Sequence, residues 1–265
     1  MTAKLLHLEN RAVIRVSGPD AKSFLQGLVT NDVESVSSDQ AVYAAMLTPQ
    51  GKFLFDMIIV ADGDSLLLDI ERTRKPDLFR RLMMYKLRAN VDLVDEALSV
   101  WAVFDGEAEQ GVSYTDPRHK ALHLRVIAEE TPVKDFEILP YEVYEERRIR
   151  HGVPDGSRDM AVEKYFWLET NAEKLNGVSF SKGCYVGQEL TARMKHRTTL
   201  KKKIVPIKFE GFSPETGTLI ETASGKKAGE VLTQSGLYAL AYLRLEYLDD
   251  QLLVGDVALS PNLKE

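Results

Sequence analysis

Through the first 130 residues, apolar positions fall in strand-length runs or alternate with polar ones, and two stretches switch to helical spacing. Ala12 to Val16 predicts a first strand. Gly18-Pro19-Asp20 then opens a helix in which Ala21, Phe24, Leu25 and Leu28 share a face, ending near Thr30-Asn31-Asp32. Ala41 to Leu47 and Phe53 to Val60 read as strands separated by the turn Thr48-Pro49-Gln50-Gly51. Ala61-Asp62-Gly63-Asp64 returns the chain into Ser65 to Ile70 as a hairpin. Pro76 starts a second helix with Leu78, Leu82 and Tyr85 on one face, and the strand pair Val91 to Val94 and Leu98 to Phe104 follows.

Asp116-Pro117-Arg118 marks a turn, after which Ala121 to Ile127 alternates as a half-exposed strand. Pro140 begins a third helix that runs to His151, where Gly152 supplies a left-handed cap and Pro154 prevents resumption. Tyr141, Tyr144 and Arg148 lie on one face of it. Strands, hairpins and helices in this mixture predict an α+β fold rather than a doubly wound parallel sheet. From Lys202 the pattern changes to short strands with glycine-containing turns, among them Ile204 to Phe209, Gly229 to Thr233 and Leu237 to Leu243. This tail predicts a small separate β-barrel or sandwich.

Composition narrows the classes of function. A chain of 265 residues, 44% hydrophobic and 28% charged, has ample material for a buried core. Its net charge of −6 argues against a whole-protein nucleic-acid binder, which needs a basic face. No apolar run is long enough to span a membrane, and the absence of a signal-peptide pattern together with a lone cysteine leads to a cytoplasmic expectation. His7, His119, His123, His151 and His196 lie far apart, so no metal-ligand spacing is present.

The single cysteine stands in Lys182-Gly183-Cys184-Tyr185-Val186-Gly187-Gln188-Glu189, which leads into a run of good helix formers, Leu190 to Lys195. This places Cys184 at or just before a helix N-terminus. Free amide donors, the helix dipole and Lys182 would stabilise a thiolate there. Gly183 and Gly187 suggest a tight turn or a close approach, and Glu189 in the first turn complements the dipole. The alternative is that Cys184 packs as a small buried hydrophobe.

The octapeptide and its continuation Leu190-Thr191-Ala192-Arg193-Met194 closely resemble the signature of the YgfZ family, folate-binding relatives of the glycine cleavage T-protein. Further blocks follow the family order: Phe24 to Val33, Leu47-Thr48-Pro49-Gln50-Gly51-Lys52, Asp116-Pro117-Arg118, Arg148-Ile149 with Gly152-Val153-Pro154, and Tyr242-Leu243-Arg244-Leu245. The resemblance implies a T-protein-like, three-part cloverleaf around a central folate channel, with a small C-terminal β-barrel. Residues 1–200 would form the folate-binding region as two intertwined α+β sub-domains, the middle one spanning roughly 50–110, and residues 201–265 the barrel. It implies tetrahydrofolate, in some cases polyglutamylated, as cofactor, and iron–sulphur enzymes or their assembly proteins as partners. The T-protein itself transfers an aminomethyl group to folate, which makes a folate-dependent transferase the alternative activity.

Within that resemblance, Asp56 falls where the T-protein has two adjacent acids, the first replaced here by Phe55. Asp56 would contact the pterin or orient a folate nitrogen, or else face water as a polar strand residue. Arg148 matches a family arginine and would hold a folate carboxylate, with Tyr144 stacking beside it; a surface ion pair with Glu145 or Glu146 is the alternative. Asn31 and Asp32 would touch ligand or cap the turn. The basic run from Arg193 to Lys208, which contains no acid, would attract a polyanionic tail or an acidic partner, or form a solvated face.

Overall fold

A computed structural model describes residues 2–197, 199–212 and 214–262. The chain begins with β1 (Ala3–His7), β2 (Arg11–Ser17), α1 (Ala21–Gln26), β3 (Val42–Leu47), β4 (Phe53–Asp62), β5 (Ser65–Glu71), α2 (Lys75–Lys86) and β6 (Asp92–Glu96). It continues through β7 (Ser99–Phe104), β8 (Val112–Thr115), β9 (Leu124–Ala128), β10 (Phe136–Ile138), α3 (Tyr141–Arg150), the single turn α4 (Gly156–Asp159) and α5 (Gln188–Arg197). The last part holds β11 (Lys202–Phe209), β12 (Leu219–Thr222), β13 (Lys227–Ser235), β14 (Tyr238–Arg244), β15 (Leu252–Val254) and β16 (Val257–Pro261).

These elements make the three parts of an α+β cloverleaf. One sheet has the order β10-β1-β7-β9-β8, a second β3-β4-β5-β2-β6, and the strands from Lys202 onward close into a six-stranded barrel. The strands between residues 50 and 110 divide between the two sheets, and residues 263–265 of the expected barrel lie outside the described residues.

The second sheet is buried on both faces over β3 and β4, which explains why β3 is apolar throughout and β4 is apolar from Phe53 to Ala61 but for Asp56. Strand parity sorts the side chains. Val42, Ala44, Met46, Met57, Ile59, Leu66 and Leu68 face α1 and α2, whereas Tyr43, Ala45, Ile58, Val60 and Leu67 face the first sheet. Asp56 pairs with Ala45, and Asp69 with Ile58, so both carboxylates point into the space between the sheets. The barrel has a core of its own around Ile207, Phe209, Val231 and Leu243.

Several local expectations change. The first helix stops at Gln26, and residues 27–32 are a turn fastened to later chain. Tyr85 is largely exposed, leaving Leu78 and Leu82 to anchor α2. Residues 120–122 form a 3-10 turn, and the strand begins only at Leu124 because His123 adopts φ +58. Gly152 does cap α3, at φ +71, after His151.

Candidate functional site

The octapeptide is an anchored loop rather than a helix start. α5 begins at Gln188, so Cys184 stands four residues ahead of the helix and is exposed, which overturns both the helix-terminus position and the buried-hydrophobe alternative. On either side of it, Lys182 and Tyr185 are buried. The Lys182 ammonium donates to the carbonyl oxygens of Gln26 at 2.8 Å, Val29 at 2.8 Å and Asn31 at 2.6 Å. All three of its donors are engaged in the turn after α1, so Lys182 fastens the loop instead of serving the thiol. Burial lowers its pKa to about 8, with Asp32 opposing.

Two further sequence blocks complete the anchor. Asn31 donates from its amide to the Tyr43 and Asn176 carbonyls at 2.8 and 2.7 Å, and Thr30 donates to the Gly177 carbonyl at 2.7 Å. Asp32 caps the following 3-10 turn and receives the Gln26 amide at 2.8 Å. Both expected ligand contacts, Asn31 and Asp32, are therefore occupied in holding chain to chain. Gly187, at φ +86, packs on the Thr48-to-Gly51 turn; a Cβ there would lie 2.6 Å from the Thr48 carbonyl oxygen. Gly183 has open space around it and no positive φ. Gln188 reaches the Gly183 carbonyl at 3.4 Å, and exposed Glu189 pairs with Arg193 at 3.0 Å.

A second polar assembly lies between the sheets. Asp69 accepts from Arg11 Nε at 2.6 Å, Arg125 Nη1 at 2.5 Å and the Tyr114 hydroxyl at 2.8 Å. Asp116 accepts from Arg118 Nη2 at 2.7 Å and faces Arg125 Nε at 2.9 Å. Burial disfavours the ionised form of both acids, but the adjoining arginines outweigh it and hold both below the ordinary carboxylate range. Tyr144 is buried with its hydroxyl accepting from Arg125 at 2.6 Å and Arg118 at 3.3 Å, so its ring is not free to stack on a ligand.

Arg148 is fully buried and engaged. It donates to both oxygens of Glu145 at 2.8 and 2.6 Å, to Asp159 at 2.7 Å and to the Val153 carbonyl at 3.1 Å. The ion pair with Glu145 is thus the right alternative, buried rather than on the surface. Asp56 is also buried, not facing water; it accepts the Tyr43 hydroxyl at 3.1 Å. Burial raises its pKa, Arg11 and Arg118 oppose, and Asp155 and Glu71 add to the rise. A small cavity that it lines with Phe55, Glu71 and Arg74 measures about 10 Å³, at the lower limit for holding a single water. A tetrahydrofolate carboxylate held by Arg148, with Tyr144 stacking beside it, does not fit these residues: the arginine has its carboxylates already, and Tyr144 is buried with its hydroxyl engaged by two arginines.

Arg11, Asp69 and Arg125 escaped the sequence reading. The signal was present: each is a charge in or beside a strand whose neighbours are apolar, Asp69 within Leu66 to Ile70 and Arg125 within Leu124 to Ile127. The basic run divides. Lys195 pairs with Glu173, Lys202 and Lys203 turn to different grooves, and Lys208 lies over the Tyr238 ring. Among the described residues no three histidine, cysteine or acidic side chains assemble as a metal site, and no helix is long and apolar enough to cross a membrane.

Two five-stranded sheets followed by a closed terminal barrel define the aminomethyltransferase-like fold class. Residues 2–113 match the GCVT N-terminal domain and residues 201–265 the CAF17 C-terminal beta-barrel domain. The crystal structure of glycine cleavage system aminomethyltransferase T from Bartonella henselae superimposes with a TM-score of 0.76, covering 98% of this chain and 85% of that one, at 15% identity, which shows the fold alone. Relatives in sequence are more specific. The mitochondrial iron-sulfur cluster assembly factor IBA57 of Mus musculus is 34% identical across 90% of this chain and 77% of its own length. The IBA57 homolog of Pyricularia oryzae is 33% identical across 97% and 76%, and the Homo sapiens protein 32% across 89% and 76%. The chain belongs to the IBA57 family of iron–sulphur cluster assembly factors. These relatives are named as mitochondrial proteins, which overturns the cytoplasmic expectation.

Proposed function

We propose that this protein supports iron–sulphur enzymes by presenting Cys184 to an assembly partner, with the YgfZ-like octapeptide as its working loop. The observation that carries the reading is the contrast within three residues: a buried, triply bonded Lys182 and an exposed Cys184. The family's role in cluster assembly supports it. A thiol held outward on a fastened loop is available to a cluster or to a partner's thiol, at little entropic cost on docking.

The test is complementation of a strain lacking this protein, scored on the activity of a radical-SAM iron–sulphur enzyme. Cys184→Ser should fail while accumulating as folded protein; full complementation by that variant would remove the thiol from the mechanism. Tetrahydrofolate is a separate question that now rests on Asp56 alone. Calorimetry under reducing conditions should give no heat of binding, and a heat that disappears in Asp56→Ala would restore the folate reading. The aminomethyltransferase alternative has less behind it, because Phe55 fills the place of the first acid and packs under Arg74 on the opposite face of β4 from Asp56.

A further inference from the structure

A groove of about 330 Å³ runs along the seam where the barrel meets the body of the protein. Lys202, Lys227 and Arg244 come from β11, β13 and β14 of the barrel, and Lys164 from the body completes the wall. One carboxylate, Glu230, lines it, and this group is engaged by Lys164 and by the Tyr165 hydroxyl at 3.3 Å. Arg244 has Glu246 at 3.6 Å on the rim. Among the described residues Lys202 and Lys227 have no carboxylate within 4.0 Å. The Lys202 ammonium lies 5.4 Å from the centroid of the Tyr242 ring, whose hydroxyl is turned away to Glu169 at 2.9 Å.

Lys164 and Arg244 thus have acids of their own, whereas Lys202 and Lys227 share the concavity without one, and a bound anion would offset the repulsion between them. Lys52, beside the seam, has its pKa lowered chiefly by burial, with Glu169 opposing and Lys202 adding to the fall. We propose that this seam is a binding site for a small polyanion, a ligand carrying two or more negatively charged oxygens held between Lys202 and Lys227. Its place is suggestive. The turn from Thr48 to Lys52 touches the cysteine loop with Gly51, against Leu190 and Gly187, and touches the seam with Lys52, which donates to the Lys164 carbonyl at 3.0 Å. The proposal does not depend on the assembly reading, because it concerns different residues.

Two probes separate the sources of such oxygens: tripolyphosphate for phosphate esters and triglutamate for oligocarboxylates. Calorimetry on the full chain at low ionic strength should show saturable binding of at least one, weakening as salt is added. Lys202→Gln with Lys227→Gln should weaken it about tenfold or more, while Lys208→Gln, which removes a charge from β11 outside the groove, should not. Should the double variant fail to fold, lysine acetylation of the wild type followed by mass spectrometry gives the answer. The probe should slow labelling of Lys202 and Lys227 but not Lys208. Absence of binding by both probes, equal affinity in the double variant, or equal labelling with and without probe would overturn the site.

Discussion

The buried arginine clusters and the cysteine loop both take cations out of water, one to close a structure and the other to expose a group. Arg148, Arg125 and Arg118 are matched by Glu145, Asp159, Asp69 and Asp116 in geometry that leaves little for a ligand. Lys182 is matched only by backbone carbonyls, and the residue two positions on points to solvent. Burial of charge is therefore no guide to which residue acts. What separates the two regions is whether any reactive group is left over once hydrogen bonds are assigned, and Cys184 is such a group.

The sharpest way to break this comparison is Arg148→Ala, which leaves Asp159 buried without its cation and Glu145 with Arg158 alone. We expect a loss of about 3–5 kcal/mol in denaturant unfolding, and a variant of near wild-type stability would show that this cluster does not carry the fold. Gly187→Ala should cost about 1–3 kcal/mol, since a side chain at φ +86 collides with the Thr48 carbonyl. Gly183→Ala, facing open space, should stay within about 0.5 kcal/mol. Equal losses from the two glycine variants would mean that the loop is not anchored where Gly187 meets the turn. Lys182→Met leaves three carbonyls without a donor and should cost about 1–3 kcal/mol, with faster alkylation of Cys184 by a bulky maleimide as the loop loosens.

A smaller effect tests the one acid that the network does not neutralise. The folded-state pKa of Asp56 is raised, so its carboxylate opposes folding at neutral pH, and the native state takes up a proton before the unfolded chain does as pH falls. Asp56→Asn should therefore be more stable than wild type at pH 7 by about 1 kcal/mol. The gap should close as pH is lowered through the folded pKa toward the ordinary value of 3.8. A gap independent of pH would assign the effect to packing. Cys184→Ser should change stability least, by less than about 0.5 kcal/mol, while abolishing complementation.

Much of the frame was legible in residue order. Strand-length apolar runs bounded by turn residues gave β3, β4 and β5, the Gly152-Pro154 stop gave the end of α3, and the change of pattern at Lys202 marked the barrel. Parity could also have placed Asp56 and Asp69 on one face, but period alone does not say whether a second sheet covers that face. Tyr144 and Arg148 share a helix face as expected, yet a helical wheel is silent on the Glu145 and Asp159 oxygens that occupy the arginine.

By itself, the sequence determined most of the elements, though not β1, β8 or β10, together with the terminal barrel and the segment around Cys184, because local spacing, turn chemistry and a motif of eight residues are written in neighbouring positions. Only the tertiary structure decided that Lys182 bonds to carbonyls more than 150 residues away, that Gly187 and Gly51 interlock, and that Arg148 is already paired. Hydrogen-bond partners and solvent access are set by chain segments that meet in space, and it is these contacts that leave the thiol exposed and the guanidinium closed.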